Sequence, residues 1–158
     1  MTIERELTTE EQKTNLATMK HIMRVQQLMM MLVAKLQQRA LVHDASKLVD
    51  PELPTFTKYT ARLKGVTYGS HEYKEFLQDM QPALDHHYAE NSHHPEHYEA
   101  GVSGMSLVDL VEMLCDWMAS SERHADGSIE KSITIQKDRF GLSDQLTSIL
   151  RNTVTDLK

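Results

Sequence analysis

The scarcity of chain breakers constrains this chain most: 158 residues contain only six glycines and four prolines. Strand-like alternation of apolar and polar residues is nearly absent, and Met, Leu, Gln, Glu and Lys dominate. The chain therefore reads as all-α. A chain of this length builds one hydrophobic core, so a single domain over residues 1–158 is expected.

Helix boundaries follow from local chemistry. Thr8 or Thr9 caps a helix running to about Arg39, with Glu10 and Glu11 at the positive end of its dipole. Residues 29–34 are apolar on every side, which predicts a helix buried in the middle of the domain. A second short helix is expected over Ala40 to Val49, stopped by Asp50-Pro51. Pro51 and Pro54 frame a turn, and a helix lies around Phe56 to Lys64 with Gly65 and Gly69 as stops. Ser70 caps a helix from His71 to Met80, and Pro82, suited to a first helical position, opens another to about Asn91. Ser106 with Asp109 forms a capping-box start for a helix from Leu107 to about His124, ended by Asp126-Gly127. Two last helices, Ile129 to Phe140 and Asp144 to Leu157, are separated by Gly141 and the cap Ser143.

Charge and cysteine narrow the function. With 17 Lys+Arg against 23 Asp+Glu the net charge is −6, which gives no basic field for duplex nucleic acid or anionic lipid. The most apolar stretch, Leu28 to Leu36, is interrupted by Lys35 and too short to span a bilayer, so no membrane association is expected. Cys115 is the only cysteine, which fits a reducing, cytoplasmic compartment and excludes an internal disulfide framework. The methionine-rich first helix suits a homo-oligomer surface as well as a core.

With one thiol, any transition-metal site must come from imidazole and carboxylate. Five of the nine histidines (His86, His87, His93, His94, His97) fall within twelve positions, with pairs seven residues apart. Divalent ions need several such donors converging within about 2.0–2.2 Å. His21 shares a helical face with Val25, Leu28, Leu32 and Leu36 and so points into the core; alone, a histidine there is more often a bonded core residue than a ligand. His43-Asp44 lies between Leu41-Val42 and Leu48-Val49, with Lys47 three residues after Asp44. A dipeptide this short reads equally as an ordinary surface pair. The helix from Leu107 carries Asp109, Glu112 and Asp116 in one stripe. Its apolar face, centred on Leu107, Leu110, Val111, Leu114 and Trp117, puts that stripe toward solvent, whereas Val108, Met113 and Cys115 flank it and would wall it in. Asp109 is occupied as a cap, which leaves Asp116 the better ligand candidate.

In order, His21, His43-Asp44 with Ser46-Lys47, the histidine pairs and Asp116 resemble the H…HD…D pattern of the HD-domain metal-dependent phosphohydrolase superfamily, from about His21 to Trp117. His86 to Glu96 is similar to the H-H-x-x-x-N-x-H-H-P-E run of small phage and bacterial members. No Gly-Tyr-Pro follows the doublet, and Thr67-Tyr68-Gly69 precedes the cluster, unlike the cyclic-dinucleotide phosphodiesterases of the superfamily. The resemblance implies a compact helical HD-domain bundle in which His21, His43, Asp44 and Asp116 bind a divalent ion (Mn, Co, Zn, Fe or Mg). By analogy with dinuclear members, one of His86/His87 and one of His93/His94 would bind a second ion, with Asp44 as the bridge. It further implies phosphate-ester hydrolysis, with Asp44 in the catalytic set; for that chemistry Lys47 is the expected cation on a substrate phosphate, with Arg24 a further candidate, and Glu112 or an unligated histidine of the pairs is the candidate general acid or base. The expected substrate is a small phosphorylated metabolite, foremost a (deoxy)nucleoside mono- or triphosphate. Two other readings stand beside it: a mixed-valent di-iron oxygenase on the same scaffold, and a non-catalytic nucleotide-binding protein.

Overall fold

The computed structural model describes residues 5–63, 66, 70–123 and 127–157. Six α-helices follow in order: α1 (Thr9–Val42), α2 (Glu52–Leu63), α3 (His71–Glu90), α4 (Leu107–Ser121), α5 (Ile129–Phe140) and α6 (Asp144–Asp156). Short 3₁₀ turns cover Ala45–Leu48, Pro95–His97 and Gly101–Gly104. No strand occurs among the described residues, so the protein is all-α as expected. No helix among them is long and apolar enough to cross a membrane. The expectations placed on Lys64, Gly65, Thr67-Tyr68-Gly69, His124 and Asp126 lie outside the described residues.

The chain divides into two units, Met1–Arg39 and Ala40–Lys158. In the first, the start of α1 is closed reciprocally: the Thr8 amide donates to Glu11 Oε2 (2.8 Å) and the Glu11 amide to Thr8 Oγ1 (3.3 Å). The sequence reading of α1 as a buried helix is corrected here. No residue of α1 is buried, and Val25, Leu28 and Leu32, the neighbours expected to carry His21 into a core, are exposed. Periodicity located an apolar arc but carried no information on what covers it.

In the second unit, Met113, Leu114 and Trp117 of α4 pack with Ile133 of α5, with Leu142, and with Leu150 and Val154 of α6. Each such side chain contributes about 1.5–3 kcal/mol when fully buried. The local signals held here: the Ser106–Asp109 capping box is present on both sides, Ser143 caps α6, and Gly141 closes α5 in the left-handed region (φ 62).

Elsewhere proline misled. Residues 71–90 form one helix with Pro82 inside it, not two. The ring removes one backbone hydrogen bond, but α3 packs along α2, with Met80 and Ala83 buried on either side of the proline. Likewise α2 begins at Glu52 and includes Pro54, which is harmless because first-turn N–H groups have no intrahelical partner. The helix expected over Ala40 to Val49 is instead the end of α1, a turn, and one 3₁₀ segment.

Candidate metal centre

The centre is assembled from four stretches of the second unit. The first follows the last residue of α1. Asp44 adopts left-handed backbone geometry (φ 56, ψ 14), uncommon without glycine though better tolerated by Asp than by most residues. This turn leaves the consecutive His43 and Asp44 side chains close together, with Nε2 of one 3.7 Å from Oδ2 of the other. The 3₁₀ segment then returns Lys47, whose Nζ donates to Asp44 Oδ2 at 2.6 Å. α3 contributes the buried His87, the loop after it the buried His93 and half-buried His94, and α4 the buried Glu112 and half-buried Asp116.

Distances between donor atoms are short. His87 Nε2 lies 2.9 Å from His94 Nε2 and 3.2 Å from Asp44 Oδ1, and His93 Nε2 lies 3.5 Å from the same oxygen. Two donors about 2.0–2.2 Å from one ion, at right or tetrahedral angles, stand about 2.9–3.6 Å apart. These three separations match that spacing, and the donor atoms of Asp44, His87, His93 and His94 all lie within 4.8 Å of one another, a group that could hold one ion. A second group, His43, Asp44 and Asp116, shares Asp44, and a third joins His43, His93 and Glu112; in each, the donor atoms lie within 4.8 Å of one another.

Electrostatics favour a cation. Asp44 Oδ1 and both nitrogens of His93 are buried without a hydrogen bond, a state that costs about 1–3 kcal/mol per group unless something binds there. Burial works to raise the Asp44 pKa. The Lys47 ammonium, which donates to Oδ2, outweighs it with help from His43 and holds this carboxyl well below the usual carboxylate range. Burial, with help from its imidazole neighbours, drives His94 down to about 3 and also lowers His93. Both therefore present neutral imidazole, the metal-binding form, at neutral pH.

The other expected residues fall as follows. His86 is in no donor group among the described residues; its Nδ1 bonds Glu52 Oε1 at 2.8 Å. Glu112 bonds His43 Nδ1 at 2.9 Å and stands 3.1 Å from His93 Nδ1, so it sits behind two imidazoles. His21 and Arg24 are exposed on α1 in the first unit, Arg24 donating to Gln27 Oε1 at 3.2 Å; the donor groups draw only on residues of the second. On α4, Leu114 and Trp117 of the expected apolar face are in the core and Leu110 packs against it, whereas Leu107 and Val111 are exposed and the side bearing Asp109 and Glu112 is buried. Polar side chains occupy the inner face because imidazoles and hydroxyls there satisfy them.

Residues 10–156 match the model of a family described as being of unknown function, DUF5662. The chain belongs to the DUF5662 family. No curated protein and no solved structure matches it. In this DUF5662 protein, sequence reasoning missed Glu52. It is fully buried and bonds both His86 and His87, yet in sequence it is one glutamate beside a proline, with no periodic partner to mark it.

Proposed function

We propose that this DUF5662 protein is a divalent-metal-dependent phosphohydrolase of the HD-domain type, acting on a small phosphorylated metabolite, foremost a nucleotide. The observation that carries the reading is Asp44: one carboxylate shared by two donor groups, with one oxygen buried among imidazoles and left without a hydrogen bond. His87, His93, His94 and Asp44 would hold one ion, and His43 and Asp116 with Asp44 a second. When bound, such ions polarise a phosphoryl oxygen and lower the pKa of a bound water toward neutrality. Asp44, Glu112 and Asp116 bring three carboxylates into the donor groups, a concentration of negative charge that divalent cations offset.

Lys47 is the substrate-facing cation of this reading. It is half-buried, reaches Asp44, and lies 5.3 Å from the centre of the Phe56 ring. Ions on Asp44 would take over the charge that Lys47 now balances, leaving its ammonium to a substrate phosphate. Glu112, hydrogen-bonded to His43, fits the orientation of imidazoles better than proton transfer to substrate.

Phosphate release from a panel of nucleoside mono- and triphosphates, with Mn²⁺, Co²⁺, Zn²⁺, Fe²⁺ or Mg²⁺ added, tests the proposal. Hydrolysis is expected with at least one pairing, and Lys47→Ala should lower kcat/KM at least tenfold while keeping the metal. Release from none of them by metal-loaded protein would contradict it. The imidazole-rich donor set favours one second reading, a di-iron oxygenase; stoichiometric iron with oxygen-dependent turnover would select it.

A further inference from the structure

Glu52 has no exposed surface and, among the described residues, lies outside every donor group. Its Oε1 stands 2.8 Å from His86 Nδ1 and its Oε2 2.9 Å from His87 Nδ1, and Ser46 bonds it as well. Its partners are two imidazoles and a hydroxyl, none of them a permanent cation. A buried carboxylate with such partners is costly unless positive charge stands close behind them.

The hydrogen bonds fix where one proton resides. Asn91 Nδ2 donates to Ser46 Oγ and to the His87 carbonyl oxygen, both at 2.8 Å, which uses both of its N–H groups. It therefore has none left for His87 Nδ1, 3.0 Å away. The carboxylate can only accept, so the proton between Glu52 Oε2 and His87 Nδ1 (2.9 Å) is on the imidazole. In the neutral imidazole, Nε2 of His87 then carries the lone pair, beside Asp44 Oδ1 and His94 Nε2.

We infer that Glu52 is a positioning residue of the metal centre: it locks His87 through Nδ1 in the tautomer whose Nε2 binds the ion, and the ion offsets its buried charge. This rests on the metal reading above. Carboxylates in this relation to a metal-bound histidine are typically worth 10–100-fold in metal affinity.

The test uses the full chain and Co²⁺ as probe. Long-range ¹H–¹⁵N spectra of the metal-free wild type should show His87 protonated at Nδ1, and Glu52→Gln should bind Co²⁺ about 10–100-fold more weakly, with the shorter Glu52→Asp recovering part of that loss. Should Glu52→Gln not fold, the wild-type tautomer decides. His87 protonated at Nε2 in the wild type, or a Co²⁺ affinity of Glu52→Gln within about twofold of wild type, overturns the inference alone. A wild type that takes up no Co²⁺ overturns the metal reading, and this inference with it.

Discussion

Asp109 and Asp44 are both shielded aspartates of the second unit, with contrasting surroundings. Asp109 accepts from Ser92 Oγ (2.8 Å), Tyr98 OH (2.8 Å), the Ser106 amide (2.9 Å) and Ser106 Oγ (2.7 Å). Asp44 accepts from Lys47 on one oxygen, while the other is buried with no hydrogen bond beside three imidazoles. A carboxylate whose lone pairs are all answered by hydroxyls and amides is finished by folding. One that faces further donors of electron pairs is completed by a cation. On the proposed reading, the difference separates a structural from a ligand-binding role within one unit.

Five substitutions can break or sharpen that contrast. Asp44→Ala has the largest expected effect: calorimetric titration with Mn²⁺ or Co²⁺ should show no binding, while Asp109→Ala keeps wild-type stoichiometry. Loss of metal in both would erase the distinction. Glu112→Gln comes next, with an expected 10–100-fold loss of metal affinity through misorientation of His43; an unchanged dissociation constant would reduce Glu112 to packing.

Asp109→Ala should then cost about 2 kcal/mol by urea unfolding, since it removes the carboxylate half of the α4 capping box and leaves the half-buried Ser92 and Tyr98 hydroxyls unanswered. Its pH signature has a definite sign. Burial would raise Asp109, but the Ser106, Ser92 and Tyr98 hydrogen bonds lower it from 3.8 to about 2. Its stabilising contribution is therefore complete above the unfolded value and disappears as pH falls from 3.8 to about 2. Asp109→Asn should flatten stability in that window and leave the profile above it unchanged. Gly104→Ala is the smallest: a Cβ there would meet Tyr98 Cβ at 2.8 Å. Displacing the tyrosine that donates to Asp109 should cost about 1 kcal/mol, again with metal affinity unchanged.

What the sequence made legible was what short-range chemistry decides. Ser106, Asp109, Gly141 and Ser143 act within one turn of themselves, and each does what its neighbours imply. Pro82 and the apolar arc of α1 depend on what packs against them, which periodicity does not encode. The centre divides in the same way. His43, Asp44, Asp116 and the two histidine pairs could be put forward as candidates from doublets, helical spacing and the family resemblance, but so could His21 and His86, and the fold alone decides which histidine of each pair faces the centre. Their supporting carboxylates could not be placed: Glu52 is 35 residues from His87, and Glu112 is 69 from His43. Such pairings exist only once α2 lies along α3 and α4 turns its polar side inward.

Co²⁺ titration of the metal-free protein, followed by visible absorption and by melting temperature, tests the central claim most directly. Ligand-field bands that differ from those of the hydrated ion, saturating at one or two equivalents, with a raised Tm and neither effect in Asp44→Ala, are the predicted result. A spectrum of hydrated Co²⁺ at every ratio, with an unmoved Tm, would contradict it.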